Sequence, residues 1–559
     1  MNHLVTASMV ALSVATPIAA SVAAPGAPHD KLVVGMTAFS SSQHPYIDPV
    51  IVKSWTLGFV NRPVTYFTPD TWTNTCALCT ELPSIENGRA KIETQANGKP
   101  GMSVHWTLKP DLKWGDGVPL TTKDIAYTAK VGGDPTTGFP DARIWGRIYK
   151  TDIIDDQNIV VHIDEVTPLF SRMSKLLSEH IDGPTYTAAK SPGDYVKQNA
   201  YNRAPTTPGL WNGPYMMTAN DGASQIVLQP NPYWSGSKPY FKNIVIRSIG
   251  DTAALQANLL SGDIDMIPGD GNGLSLDQVL AMQKQHPTDF NYIFNDSVTF
   301  YHLDVNLDNP ILKDPRVRRA MLMAIDRKAM SDRLVGGRYQ LAATWVPPKE
   351  PMFAEGIPIV PYDPAGARKL LQEAGWTPGP DGILRNAAGE RFSIEYATTT
   401  ELKLGLLIQQ VAQDQLKRVG IEATIKNEIQ RTFFGDTLKR RKYGGLAQYF
   451  WLFSVSFAPL QLYAISNIPT EANGWGGSNY MDWKNDDFER ALQASATDLD
   501  VGKQKADWAE MQKIYAQDLP TLPLFFVPQT HVIPVWLKGY VPAGMTDYAS
   551  LRGEDWRAE

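Results

Sequence analysis

Short apolar or alternating runs and longer runs with a 3.6-residue period take turns along this chain. Residues 31–36 (KLVVGM) predict a first strand and residues 103–108 a second. Residues 225–228 and 243–247 predict two more, separated by a turn-rich insert at 230–239. Asp314-Pro315 predicts a helix start, because Asp caps and proline suits the first helical position. Val317, Ala320, Met321, Ala324 and Ile325 then fall on one face. Asp363-Pro364 repeats the device, with Ala367, Leu370, Leu371 and Ala374 on one face and Gly375 as a left-handed stop. Leu404, Leu407, Ile408, Val411, Ala412, Leu416 and Val419 predict a third amphipathic helix, ended by Gly420. Residues 421–425 alternate as a strand, and 522–526 form a late buried strand. Strands and helices mixed throughout predict an α/β or α+β protein, with no repeat of about 20–50 residues.

Composition narrows the class. The 559 residues carry 52 Lys+Arg against 58 Asp+Glu, a formal charge of −6. That length exceeds one core, and about two to four domains are expected. The mild acidity argues against a general nucleic-acid binder, which needs a basic face. Residues 4–24 are apolar, small and uncharged, and 25–30 form a Pro/Gly-rich lead-in. Ser21-Val22-Ala23 before Ala24 fits a secretory cleavage site, so residues 1–23 are read as a signal peptide. Met1-Asn2-His3 lacks the usual basic residues, and an N-terminal anchor is the competing reading. No cysteine follows the run, which excludes lipid attachment there. Export without an anchor implies the periplasm or the medium. The two cysteines, Cys76 and Cys79, are spaced for redox chemistry or half a zinc site in the cytosol, and for a small local disulfide in an oxidising compartment.

Strong catalytic signatures are absent. There is no G-x-x-x-x-G-K-[ST], no G-x-S-x-G and no H-E-x-x-H. The nine histidines are scattered, with no helical pair for a metal. Asp155-Asp156 and Asp486-Asp487 are adjacent, so they do not face each other on a helix. Acid pairs can still meet from distant segments, so metal binding and glycosidase chemistry stay open at this point, although nothing positive argues for either and no cofactor is expected.

Several blocks in fixed order resemble family 5 extracellular solute-binding proteins, the dipeptide, oligopeptide and nickel type that serve ABC importers. The first is Trp106-Thr-Leu-Lys-Pro-Asp-Leu-Lys-Trp-Gly-Asp-Gly117, running on to Ile125. Asn212-Gly-Pro-Tyr215, Asn231-Pro-Tyr-Trp234 and Ser261-Gly-Asp-Ile-Asp265 come next. Asp314-Pro-Arg-Val-Arg-Arg-Ala320, Ala324-Ile-Asp-Arg327, Tyr362-Asp-Pro364, Ala374-Gly-Trp376 and Val419-Gly-Ile421 continue the series. Asp518-Leu-Pro520 with Leu522-Pro-Leu524 closes it. Arg316, Arg318, Arg319 and Arg327 read as a solvated or ion-paired helix face, with docking to a permease subunit as the functional alternative.

The resemblance implies an α/β, two-lobe periplasmic-binding-protein-like fold (type II, cluster C) with an extra inserted domain. Lobe I would be 24–60, 205–280 and 520–559, the inserted domain 61–204, and lobe II 281–519. It also implies a monomeric receptor whose partners are a small-molecule or peptide ligand and the inner-membrane permease of an ABC importer. A chemosensory receptor is the nearest alternative. In dipeptide-type relatives an Asp after a Trp holds the peptide's α-amino group, and an Arg holds its carboxylate. The aligned positions here are Ser454, after Trp451, and Thr399. Hydroxyls in place of both charged clamps disfavour a free dipeptide, because a buried unpaired ammonium is costly, unless another carboxylate such as Glu401 or Asp482 substitutes. A longer or capped peptide read through its backbone fits better; a sugar conjugate, an opine-like ligand or a metal chelate is the alternative. The candidate ligand-binding residues are Tyr449, Trp451, Phe453, Ser454, Thr399, Ser42, His44, Trp211 and Asn479, the last in a Gly-rich segment expected to close over the ligand.

Overall fold

The computed structural model of the protein describes residues 29–48, 50–68, 71–139, 144–269, 273–453, 460–544 and 549–559. The signal peptide expected at 1–23 lies outside these residues. Three larger sheets organise the chain. In the first, Lys31–Met36 lies parallel to Asn243–Ser248, which continues antiparallel to Gln225–Pro230 and then Tyr215–Asn220. The second is antiparallel, in the order Ala90–Thr94, Pro100–Thr107, Asn158–Ile163, Ile148–Ile153. Burial alternates along Asn158–Ile163, as expected of a sheet with one wet face. The third has six strands, in the order Gln340–Leu341, Thr521–Pro534, Phe290–Val305, Leu446–Leu452, Ser393–Ala397, Glu422–Ile425.

Two strands of the third sheet are unusually long: Phe290–Val305 with 16 residues and Thr521–Pro534 with 14. They pair antiparallel over most of their length. At one end Phe290, Tyr292, Phe294 and Val532 pack with Val33, Val245 and Leu255 of the first sheet and its helix. At the other end Leu303, Val305, Leu522 and Leu524 join the core built on helix Pro315–Ala324. The pairing register shifts between Asn295 and Thr299, between these two ends. A second shift lies between Tyr301 and His302, so the two cores are joined by paired strands whose ladder is irregular between them.

The helix signals work as their chemistry requires. Asp314 and Asp363 accept from the backbone N–H of Arg316 and Gly366, with proline at the first helical position of each. Gly375 and Gly420 take left-handed backbone, φ +90° and +86°. Val317, Ala320, Met321, Ala324 and Ile325 are all buried. Leu407 departs from its expected face and is 48% exposed, because helix Lys403–Arg418 buries a stripe through Gly405, Ile408, Gln409, Ala412 and Leu416 instead.

Of the four arginines, Arg316 is exposed and ion-paired with Asp314 at 2.7 Å, as expected, whereas two others are not solvated. Arg318 and Arg327 are buried, and both donate to backbone carbonyls. Arg318 bonds the carbonyls of Leu312, Lys313 and Asp518 at 2.7–2.8 Å. Arg327 bonds those of Ala342, Pro523 and Val360 at 2.5–2.8 Å. A guanidinium fork with several fixed donors suits this work. Burial lowers both guanidinium pKa values to about 10.

Cys76 and Cys79 form a disulfide. It closes a short loop that leaves the second strand of the hairpin made by Thr65–Phe67 and Asn74–Cys76.

His531 lies on the second long strand, fully buried. Its Nδ1 accepts from the Gly269 N–H at 2.9 Å and the Tyr540 hydroxyl at 2.7 Å. A Cβ at residue 269 would lie 2.7 Å from the ring, so this approach requires glycine. Burial lowers the imidazole from 6.5 to about 3. The unfolded chain therefore binds the extra proton between these values, and stability falls as pH drops from about 6.5 toward 3. We predict that His531→Gln flattens this acid limb of the denaturation profile, measured by urea unfolding at stepped pH. An unchanged slope in the variant would contradict this role.

Candidate binding cleft between the lobes

In the third sheet Ser393–Ala397, Glu422–Ile425 and Leu446–Leu452 run parallel to one another. Thr399 follows the C-terminal end of the first of these strands, and Trp451 lies near the C-terminal end of the last. In the first sheet Lys31–Met36 and Asn243–Ser248 are parallel, and the loop carrying Ser42 and His44 follows the C-terminal end of the former. Open α/β sheets present binding residues outside the carboxyl ends of their strands.

The Leu446–Leu452 strand pairs antiparallel with Phe290–Val305, matching Phe300 with Trp451 and His302 with Tyr449. Alternation then puts Phe300, His302, Asp304, Tyr449 and Trp451 on one face. Phe300 lies between the two register shifts, so its partner Trp451 stands beside them. The Trp451 Nε1 donates to the Tyr449 hydroxyl at 3.2 Å. That hydroxyl donates to Asp304 Oδ2. His302 Nε2 lies 3.1 Å from Asp304 Oδ1. Its Nδ1 lies 3.3 Å from the Phe300 carbonyl and must donate to it, because a carbonyl only accepts. His302, Asp304 and Tyr449 are buried, whereas Trp451 is half-buried. Burial, reinforced by the Asp304 charge, holds the Tyr449 hydroxyl well above its usual pKa. Phe434 meets Tyr449 edge-on at 5.6 Å and is 37% exposed.

Three distant segments meet next to this strand, at Val298. The Phe453 N–H donates to the Val298 carbonyl at 2.8 Å, and the Val298 N–H to the Gly544 carbonyl at 3.2 Å. Trp72, at the tip of the disulfide-bearing hairpin, packs on Val298 and donates from Nε1 to the Ala543 carbonyl at 3.3 Å. Its backbone is left-handed, φ +50°, which is rare for a bulky residue.

The other candidates have structural partners. Ser42 is buried and donates to Asn202 Oδ1 at 2.7 Å. His44 is fully buried; its Nδ1 accepts from the N–H groups of Tyr46 and Ile47 at 3.2 Å, and its Nε2 meets the Tyr195 hydroxyl at 3.0 Å. Burial and the nearby Lys53 charge keep its pKa well below the usual value. Lys53 in turn donates to the carbonyls of His44 and Ile47, and burial lowers its pKa to about 8. Trp211 is fully buried, with Nε1 bonded to the Pro205 carbonyl at 2.8 Å. Phe453 packs edge-on against Trp345 in a buried aromatic core. Thr399 is buried beside Glu428 in a parallel bridge, and its neighbour Thr398 donates to the Gln448 carbonyl at 2.8 Å. Ser454 lies outside the described residues. Of the nine candidates, Tyr449 and Trp451 are bonded to each other on the third sheet, Phe453 and Thr399 lie just past the ends of its strands, and Ser42 and His44 lie in a loop after a strand of the first.

His302 and Asp304 escaped the sequence reading. Their signal is a His-x-Asp alternation inside an otherwise apolar strand, which no helical spacing rule detects. Among the described residues no group of three or more His, Cys, Asp or Glu is arranged to hold a metal. No helix among them is long and apolar enough to cross a membrane. Two surface hollows, of about 450 and 660 Å³, contain none of the nine candidates.

The model of the bacterial extracellular solute-binding proteins, family 5 Middle, matches residues 92–467. The chain belongs to this family. It is 26% identical over 467 residues to a protein of Brucella ovis assigned as an ABC transporter peptide-binding protein, covering 82% of this chain and 81% of that one. It superposes on the oligopeptide-binding protein of Thermus thermophilus complexed with a pentapeptide, with a TM-score of 0.71 and 26% identity, over 95% and 97% of the two chains. It also superposes on NikA of Brucella suis in complex with Fe(III)-EDTA, with a TM-score of 0.75 and 17% identity, over 95% and 100%. The fold is the mixed α/β two-lobe fold of these family 5 receptors, and the relatives are solute-binding proteins of ABC transport rather than enzymes.

Asn479 is a bracket in this fold. Its carboxamide donates to the carbonyls of Tyr463, Ala464 and Trp483 at 2.9–3.2 Å and accepts from the Trp483 N–H at 3.1 Å. We predict that Asn479→Ala lowers stability by about 2–3 kcal/mol, since it strands several buried backbone groups. Urea denaturation measures the loss; a change below about 0.5 kcal/mol would contradict it.

Proposed function

We propose that this protein captures a small, peptide-like solute in the cleft between its lobes and delivers it unaltered to the permease of an ABC importer. The observation that carries this reading is the convergence of parallel-strand carboxyl ends, one of them bearing half-buried Trp451, beside a two-strand hinge. Ligand binds the closed arrangement better and so selects it. The protein is a monomeric periplasmic receptor freed of its signal peptide at residue 23, and it breaks no bond in its ligand. The lobe boundaries of this reading are 24–60, 205–280 and 520–559 for lobe I, 61–204 for the inserted domain and 281–519 for lobe II. These boundaries assign Phe290–Val305 to lobe II and Thr521–Pro534 to lobe I, and residues of both strands pack in the core of the first sheet and in the core on helix Pro315–Ala324.

The ligand is longer than a dipeptide. Hydroxyls at Thr399 and Ser454 offer no partner to the charged ends of a free dipeptide, whereas an extended chain is held through its backbone and by aromatic faces such as Trp451 and Phe434.

We predict that a pool of pentapeptides raises the unfolding temperature and that a pool of dipeptides does not. A peptide at about 100 times its Kd adds roughly 2.7 kcal/mol. Trp451→Ala should abolish the shift while leaving the unliganded protein folded. Strong stabilisation by dipeptides would overturn the length assignment, and an undiminished shift in the variant would remove Trp451 from the cleft.

A further inference from the structure

The polar chain beneath Trp451 is buried where apolar side chains would pack at lower cost. Asp304 and His302 are each 1% exposed, on a strand whose neighbouring residues Phe300, Leu303 and Val305 are wholly buried and apolar. The members are joined in sequence: the Phe300 carbonyl at His302 Nδ1, His302 Nε2 at 3.1 Å from Asp304 Oδ1, the Tyr449 hydroxyl on Asp304 Oδ2, and the Trp451 indole on that hydroxyl. Phe300 stacks on the His302 ring at 4.8 Å with 1° between planes, which fixes the imidazole. A fully satisfied buried network specifies one arrangement of its members, and a partly satisfied one is costly. Only the last member, Trp451, is half-open.

We infer that His302, Asp304 and Tyr449 are positioning residues: they hold the indole of Trp451 in one orientation on the lobe II wall of the cleft, ready to stack on the ligand. The inference rests on the proposed place of Trp451 in that wall. Without the Tyr449 hydroxyl, the indole N–H loses its partner and the ring is free to rotate. With it, the ring is ordered before the ligand arrives, so less entropy is lost on binding. The carboxylate supplies the rigidity, because a hydroxyl held by Asp304 cannot turn away from the indole. These groups act through Trp451 and do not touch the ligand.

The test uses the full-length mature protein with 15N-labelled tryptophan, and the indole resonance of Trp451 is assigned from Trp451→Phe. Tyr449→Phe and Asp304→Asn keep the shape of the core and should move or broaden that resonance while the other indoles stay in place. Tyr449→Phe should weaken binding of the pentapeptide pool roughly tenfold. It should weaken it no further in a Trp451→Phe background, because both changes break the same link. An unmoved indole resonance in both variants overturns the inference, as does full additivity of the two affinity losses. A wild-type protein that ignores the pentapeptides would sink the peptide reading alone; the resonance, read without peptide, would still decide the orientation claim. Should either variant unfold, Tyr449→Trp and Asp304→Glu provide the comparison, and a native-like Trp451 resonance in both would count against the inference.

Discussion

Backbone pairing between strands Phe290–Val305 and Thr521–Pro534 is the constraint on which the rest depends. Their hydrogen bonds tie the core around the first sheet to the core around helix Pro315–Ala324. The shifts at Asn295–Thr299 and Tyr301–His302 interrupt the ladder between the two cores. The same strand sets the register of Leu446–Leu452, and through it the place of Trp451. The register shifts and the strand that carries Trp451 thus share one piece of backbone.

Polar burial is organised around that pair of strands. Arg327 clamps the Pro523 carbonyl of one long strand and Arg318 the Asp518 carbonyl just before it. His531 pins the other end of the same strand to Gly269. His302 and Asp304 occupy its partner strand. The desolvation of each group is offset only because several fixed partners meet it. Together they fix where the second long strand enters and leaves the lobes, while the ladder between the cores keeps its irregular pairing.

Local signals in the chain foretold local structure well. Asp-Pro pairs at 314 and 363 gave helix starts because capping and proline geometry involve neighbouring residues only. The apolar run at 31–36 gave a strand with the expected bounds. Functions of single side chains were less legible, because their partners lie far along the chain. Arg318 looked like a solvated charge, yet its partner carbonyl at Asp518 is 200 residues away. His44 sits in a loop at a strand's carboxyl end, as expected of a cleft residue. Its covering rings, Phe139, Tyr195 and Tyr201, come from segments no periodicity connects to it. Asn479 looked like part of a flexible Gly-rich flap because its hydrogen bonds are tertiary. The Asp304–Tyr449 link spans 145 residues and depends on strand register, which sequence alone leaves open.

The central claim is that two lobes pivot on this pair of strands and close on an intact ligand. Spin labels at Lys242 and Arg490, exposed positions on opposite lobes, would read the motion as a distance distribution from pulsed electron resonance. The account predicts a shorter, narrower distance when pentapeptides are added, with the peptides recovered unhydrolysed. An identical distribution with bound peptide, or cleaved peptide in excess of the protein, would contradict it.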